Sequence, residues 1–301
     1  MEQPNAFRPE PNSPPPGQGD ASPLDEDMIT TRAAGYPTTV ACASDIPFQT
    51  ISDEYAAVQQ QVNIQKVDRF VLPLLRDIGA RRVLDAGCGV GTMVTHLNTL
   101  GFDAYGFDLM ESVSRWSQLD LPRERFVAVE PIGAVLPFAD KSFDAVFSFG
   151  AIEHVGTTNG HSERRADYHE VRTAWVRELF RVLRPGGAML LAGPNRNFPV
   201  DVAHGPDSRA LGIERWLSSK LRITVHRPWG ENFLWGYGDV RRYCADLPCR
   251  IEGISIHGYI GFSRVPKPFA TLAESYVRRL PSPLLATGFN PWVCALVTRT
   301  E

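Results

Sequence analysis

Cysteine is scarce in this chain. There are five in 301 residues, Cys42, Cys88, Cys244, Cys249 and Cys294. So small and odd a set excludes a disulfide scaffold and fits a reducing compartment. Cys244 and Cys249 lack a second pair at zinc-finger spacing, and no metal site is expected. Long apolar runs are missing too. No window is apolar for long enough to cross a bilayer, so stable membrane insertion is not expected. The first residues lack the basic start and apolar centre of a secretory signal, which makes the cytoplasm the expected location. A strong charge of either sign is also absent. The 31 Lys+Arg stand against 34 Asp+Glu, a net charge of −3. No basic surface advertises a nucleic acid, and none is expected as a partner. What remains is ordinary globular composition, 43% hydrophobic and 22% charged, long enough for one large α/β domain with additions.

Composition divides the chain. Residues 1–27 are rich in Pro, Gly and acid, with Pro14-Pro15-Pro16-Gly17 at their centre. Such a segment cannot bury a core and is expected to be a disordered tail. Residues 28–80 read as an N-terminal extension and helical cover. Ser52 or Asp53 caps a helix, and Val67, Phe70, Val71, Leu74, Leu75 and Ile78 recur at helical spacing before Gly79 ends it. Residues 81–301 form the main domain.

The most informative stretch is Val83-Leu84-Asp85-Ala86-Gly87-Cys88-Gly89-Val90-Gly91-Thr92. It reads as a buried strand, a glycine-rich turn and the start of a helix, whose amides open toward a ligand. Asp85 sits two places before the first glycine. Asp108 ends the next apolar stretch, Asp103 to Asp108. A ligand carrying both an amine and a ribose diol suits this pair of carboxylates. Dinucleotide dehydrogenases place the third glycine one residue later, where this chain has Thr92.

The D-x-G-x-G-x-G form resembles the cofactor motif of class I S-adenosylmethionine (SAM) methyltransferases. The resemblance continues in order along the chain. Leu136-Pro137-Phe138-Ala139-Asp140 precedes a strand at Phe143–Phe149, as before the family's fourth strand. Glu178 to Gly187 resembles its next helix and tight turn, Ala188 to Ala192 its fifth strand, and Arg250 to His257 and Trp292 to Thr298 its sixth and seventh. The resemblance implies an α/β fold, a Rossmann-like, doubly wound seven-stranded sheet with the last strand antiparallel and an N-terminal helical cover.

It also implies SAM as cofactor. Asp85 and the backbone around Gly87, Cys88, Gly89 and Gly91 would hold its methionine end. Asp108 would accept both ribose hydroxyls, since a carboxylate offers two acceptors at suitable spacing. Leu109 would lie against the adenine. Ile132 falls where relatives contact the adenine amino group, and Phe149 lines the cofactor site at the end of the fourth strand.

Glu153-His154 follows that strand, and similar Glu-His pairs occur in relatives that methylate quinone precursors and other small molecules. His154 is the candidate catalytic base, because an imidazole near its ordinary pKa accepts a proton at neutral pH. Residues 196–237 form an aromatic-rich insertion after strand five. It follows the carboxyl end of a strand, where open α/β sheets bind ligands, and is expected to be a substrate lid. Trp216, Trp229, Phe233 and Trp235 are its candidate substrate-binding residues. The stripe Phe269, Leu272, Ala273, Tyr276, Val277 and Leu280 reads as a further helix packed on the sheet or lid.

Several branches are set aside. After strand four the run Gly150-Ala151-Ile152 is not that of amino-directed DNA enzymes, and Pro194-Asn195 does not supply the acidic ligand of metal-dependent catechol enzymes. The expected activity is methyl transfer from SAM to an oxygen, or nitrogen, of a small, partly apolar metabolite. Two alternatives stand beside it: attack on another sulfonium carbon or cyclisation of SAM, releasing methylthioadenosine, and a non-catalytic SAM-binding subunit.

Overall fold

Two mainly apolar strands, β3 (Arg82–Ala86) and β6 (Phe143–Phe149), lie side by side and parallel at the centre of the sheet. Apart from Arg82 and Phe149 both are buried along their length, as strands covered on two faces are. In the computed structural model the described residues are 23–24, 31–33, 36–38, 53–109, 112–129, 135–158, 163–201, 204–221, 224–259 and 267–301.

From β3 the sheet grows one way through β4 (Asp103–Leu109) and β5 (Phe126–Val129), and from β6 the other way through β7 (Leu183–Pro194). All these pairings are parallel. The last strand, β11 (Trp292–Arg299), inserts antiparallel between β7 and β10 (Cys249–Gly253). This is the expected seven-stranded, doubly wound arrangement. The strand order reverses between β3 and β6, opening the crevice in which such sheets bind ligands.

The sheet carries one addition that the sequence did not announce. A hairpin of β1 (Thr31–Ala33) and β2 (Tyr36–Thr38) extends it to nine strands among the described residues, with Thr38 pairing parallel to Ala128 of β5. Within the stretch expected to be a solvated tail, Pro23 and Leu24 are docked. The Ala139 amide donates to the Pro23 carbonyl at 2.9 Å, and Leu24 bridges to Phe138 and packs on the core. Residues 1–22 and 25–27 lie outside the described residues.

Helices cover both faces. On one, α5 (Tyr168–Val182) buries Trp175, Val176, Leu179, Phe180 and Val182, beside Tyr237, Val240 and Tyr243 of α7 (Tyr237–Tyr243). On the other lie α1 (Asp53–Lys66), α2 (Leu72–Asp77), α3 (Thr92–Thr99), α4 (Val113–Trp116) and α8 (Lys267–Arg279). A π-helical turn at Val67–Val71 joins α1 to α2 and buries Val67, Phe70 and Val71, the apolar stripe expected there. The tight turn expected at Arg184 to Gly187 is a bulge inside β7. Leu183 pairs with Phe143 but Ala188 with Ala145, so four residues of β7 face one of β6.

The insertion after β7 has its own small framework. β8 (Val200–Asp201) pairs antiparallel with β9 (Thr224–Val225), and α6 (Gly212–Leu221) lies between them in sequence. Phe269 and Leu272 of α8 are exposed, while Val277 is buried and the Tyr276 hydroxyl donates to the Phe289 carbonyl at 2.6 Å.

Candidate active site

The turn after β3 is shaped by its glycines. Gly87 has φ 87° and a Cβ there would lie 2.7 Å from that of Ala151, while Gly91 has φ 78° and a Cβ would meet Leu119 and Phe126 at 2.8 Å. Other residues would meet both a left-handed backbone and a collision. The Gly87 and Cys88 amides donate to the Phe107 carbonyl, and Trp116 Nε1 donates to the Gly89 carbonyl at 2.8 Å.

Asp108 ties this turn to β4. One carboxylate oxygen accepts the Gly89 amide and the other the Leu109 amide at 2.7 Å. Asp108 and Leu109 are half-buried at the open end of β4. Asp85, Gly87, Cys88, Gly89, Gly91, Asp108 and Leu109 therefore share one cradle. Ile132 lies outside the described residues. Phe149 closes the far side, stacked on Phe147 at 5.0 Å and edge-on to Tyr259 at 5.2 Å.

The electrostatics of the cradle are set by burial. Asp85 is 4% exposed, and desolvation raises its pKa to about 8 against the pull of Lys66. Lys66, at the end of α1, is lowered to about 8 by the same cause, opposed by Asp85 and then by Glu153. Its ammonium sits 4.5 Å from the centre of the Tyr259 ring and 5.5 Å from that of Phe149. The Cys88 thiol is pushed well up by burial and by Asp108 and Asp85. The cradle thus sets a carboxylate protonated more readily than usual near a lysine that lies over two aromatic faces.

Beyond Phe149 the chain turns through Gly150 into the loop carrying Glu153 and His154. Arg172 of α5 fixes this loop. It is fully buried, and its guanidinium donates to the carbonyls of Val155 (3.0 Å), Glu153 (2.7 Å) and Phe233 (2.8 Å). One side chain thus ties the loop after β6 to the insertion after β7. Phe233 is held further by its amide, which donates to Asp207 at 3.1 Å.

His204, from the insertion, faces His154 with ring centres 5.2 Å apart, and the Phe233 ring lies 6.2 Å from His154 and 5.3 Å from His204. His204 Nδ1 is 2.9 Å from Asp201, whose carboxylate also accepts the His204 amide at 3.3 Å. Glu153 is fully buried, with Oε1 3.9 Å from His204 Nε2. Gly193 of β7 leaves it room, since a Cβ there would lie 2.7 Å from Glu153 Oε2 and 2.6 Å from Trp235 Nε1.

The four aromatic candidates of the insertion therefore divide. Phe233 and Trp235, 3% and 0% exposed, belong to the wall around Glu153 and His154. Trp216 and Trp229 are 55% and 75% exposed. The sequence reading missed His204, Asp201, Arg172 and Lys66 as site residues. A histidine in a Gly- and Pro-flanked loop and an arginine on an amphipathic helix carry no local signal. Only the fold brings them to Glu153-His154.

A parallel sheet with a glycine cradle at its switch point, two acidic strand ends and a polar wall opposite defines a cofactor-dependent α/β domain. Comparison with known proteins shows what it resembles. Residues 84–191 match the family model described as "Methyltransferase domain". The chain is 31% identical over 159 residues to "Probable tRNA methyltransferase 9B" of Mus musculus, covering 50% of this chain and 30% of that protein. It is 31% identical to a "Probable S-adenosylmethionine-dependent methyltransferase" of Mycolicibacterium smegmatis over 38% of this chain and 39% of that one. With "Demethylmenaquinone methyltransferase" of Renibacterium salmoninarum it shares 27% identity over 48% of this chain and 56% of that one. The chain thus spans between about a third and just over half of these relatives' lengths. Residues 84–191 thus carry a methyltransferase domain, and the chain is similar there to SAM-dependent methyltransferases.

Proposed function

We propose that this chain transfers the methyl group of SAM to an oxygen, or a nitrogen, of a small, partly apolar metabolite in the cytoplasm. The observation that carries the reading is the wall opposite the cradle. Two facing imidazoles, His154 and His204, and the Phe233 ring make a surface that is apolar on one side and proton-accepting on the other. The net charge of −3 favours a small acceptor over a nucleic acid. The menaquinone-precursor relative is named for a substrate of that kind, whereas the mouse relative is named for tRNA. Among the described residues no helix is long and apolar enough to cross a membrane.

Methyl transfer from a sulfonium is an in-line displacement that the protein accelerates chiefly by positioning and by excluding water. Asp85, Gly87, Cys88, Gly89 and Gly91 hold the methionine end, Asp108 the ribose, Leu109 and Ile132 the adenine side, and Phe149 the space beside the reacting carbon. An acceptor hydroxyl must also lose its proton. That happens at the imidazole pair, with His154 nearest the acceptor and Asp201 fixing the ring of His204.

The test incubates the purified chain with SAM and metabolite extract, before and after ribonuclease treatment. S-adenosylhomocysteine and a small metabolite heavier by one methyl group are expected in both samples. Product lost with ribonuclease would move the acceptor to RNA, and methylthioadenosine would replace methyl transfer altogether. For a hydroxyl acceptor, His154→Ala should lower turnover by roughly 10²–10⁴ with SAM affinity unchanged. Wild-type turnover in the folded variant would remove the residue from the mechanism.

A further inference from the structure

We infer that Glu153, His154 and His204 form the binding site of a divalent first-row transition ion. The inference rests on the proposed place of the acceptor and refines how its proton is lost. Each of the three residues offers one ligand atom, and these atoms all lie within 4.8 Å of one another. Donor atoms bound to one ion at roughly 2.0–2.2 Å lie about 3–4 Å apart, so small side-chain rotations close the set.

The observation that asks for a cation is Glu153. It is 0% exposed, and neither carboxylate oxygen has a hydrogen-bond partner. A carboxylate buried in that state is costly unless a positive charge meets it. No ion pair within 4.0 Å joins it to Lys66 among the described residues; the group that approaches is His204 Nε2 at 3.9 Å. Around Glu153 the packing is specific. Gly193 is the residue that spares its Oε2 a collision, and Arg172 pins its carbonyl.

A second observation comes from His204. Asp201, 3% exposed, accepts from His204 Nδ1 at 2.9 Å, which leaves Nε2 as the ring nitrogen that turns toward Glu153. A buried carboxylate behind a histidine, fixing its tautomer and raising its basicity, is the arrangement found behind metal-bound imidazoles. Two imidazoles and one carboxylate suit borderline ions such as Zn²⁺, Mn²⁺, Fe²⁺ or Co²⁺, and three protein ligands leave positions open. The expectation of no metal came from cysteine spacing, which has nothing to say about a site without thiolates.

An acceptor hydroxyl at an open position of the bound ion would ionise, its proton passing to solvent, because the ion would stabilise the oxyanion. The oxygen lone pair then forms the new O–CH₃ bond as the S–CH₃ bond breaks. The electron pair of that bond stays on sulfur and neutralises the sulfonium. In this form of the mechanism His154 and His204 act as ligands rather than as free bases.

The test uses the untagged full chain, stripped with a chelator, dialysed and titrated with CoCl₂ and separately with ZnCl₂. We expect saturation at one equivalent and visible Co²⁺ bands of a low-coordinate N/O site. Glu153→Gln, nearly isosteric, and His204→Ala should each weaken binding at least about tenfold. Asp201→Asn, which touches no ion, should weaken it about 10- to 100-fold. Far-UV circular dichroism and SAM titration check that each variant is folded. Wild-type protein that leaves Co²⁺ in its hexaaqua spectrum, or folded Glu153→Gln and His204→Ala variants that bind as wild type does, would overturn the site. Stripped protein that methylates at the full rate would overturn the ion's role while sustaining methyl transfer. Stoichiometric metal binding without any nucleoside product from SAM would sustain the site and overturn the methyltransferase reading.

Discussion

On one side of the switch point the ligand surface is backbone; on the other it is side chains brought from afar. The cradle after β3 is made within one stretch, Asp85 to Gly91, and closed by Asp108 from the next strand. The wall opposite draws Glu153 and His154 from the loop after β6, Arg172 from α5, and Asp201, His204 and Phe233 from the insertion. The difference matches the two tasks. A cofactor common to many acceptors needs only one constant surface, and a backbone turn suffices for that. Acceptors differ, and a wall assembled from separate elements changes without disturbing the sheet.

The largest expected effect tests whether the two halves are separable. Arg172→Met removes three charge-assisted hydrogen bonds and leaves three carbonyls, those of Glu153, Val155 and Phe233, without their donor. At roughly 1.5–3 kcal/mol for each bond to a charged group, stability should fall by at least about 3 kcal/mol, read by urea unfolding. Turnover should drop with it, while SAM affinity measured well below the unfolding midpoint stays within about threefold. An equal loss of SAM binding would show that the halves are one unit.

The next effect strikes the cradle alone. Asp108→Ala removes the carboxylate proposed to hold the ribose and the tie from β4 to the Gly89 amide. At least a tenfold loss of SAM affinity is expected by calorimetry, with the fold intact. Asp108→Asn keeps one acceptor oxygen and should fall between wild type and Asp108→Ala. Undiminished affinity in both variants would place the ribose elsewhere.

A smaller effect follows from the pair at the cradle floor. Asp85 is raised to about 8 by burial, and Lys66 is lowered to about 8. Without cofactor, Asp85 thus carries its proton over most of the range from its ordinary pKa of 3.8 up to about 8. A bound cationic amine favours the ionised carboxylate, so binding below pH 8 releases a proton. Neutralising Lys66 removes a competing cation in the same direction. SAM affinity should therefore rise from pH 6 to about 8. Calorimetry in buffers of different ionisation heat should read proton release at pH 6.5. Flat affinity with no proton release would mean that Asp85 is already ionised in the free protein.

The same contrast governs what the sequence disclosed. The glycine turn, Asp85, Asp108 and the strands β6, β7 and β11 were legible because each rests on contiguous residues with a fixed period or spacing. The hairpin β1–β2 was not, since short edge strands gain their identity from the neighbour they pair with. Arg172 read as one more charge on an amphipathic helix. Its value lies in three carbonyls 17, 19 and 61 residues away. His204 was one histidine among seven until the fold set it against His154. The aromatic residues of the insertion could not be told apart. Trp216, Trp229, Phe233 and Trp235 look alike in sequence, but Phe233 is locked by Asp207 and Arg172, whereas the first two face outward.

The smallest expected effect sharpens that last distinction. Trp229 is 75% exposed and holds φ 60°, a left-handed conformation that a bulky residue adopts at a cost of about 1–2 kcal/mol. Trp229→Gly relieves that cost but makes the unfolded chain more flexible, so stability should rise by less than about 1 kcal/mol. Trp229→Ala keeps the strain and loses little packing, and should stay within about 0.5 kcal/mol of wild type, as should Trp216→Ala. None of the three should change KM for the acceptor more than about twofold, whereas Phe233→Ala should raise it and leave SAM affinity alone. If both Trp229 variants raise KM as Phe233→Ala does, the exposed indole closes over the acceptor, and its strained backbone belongs to the site after all.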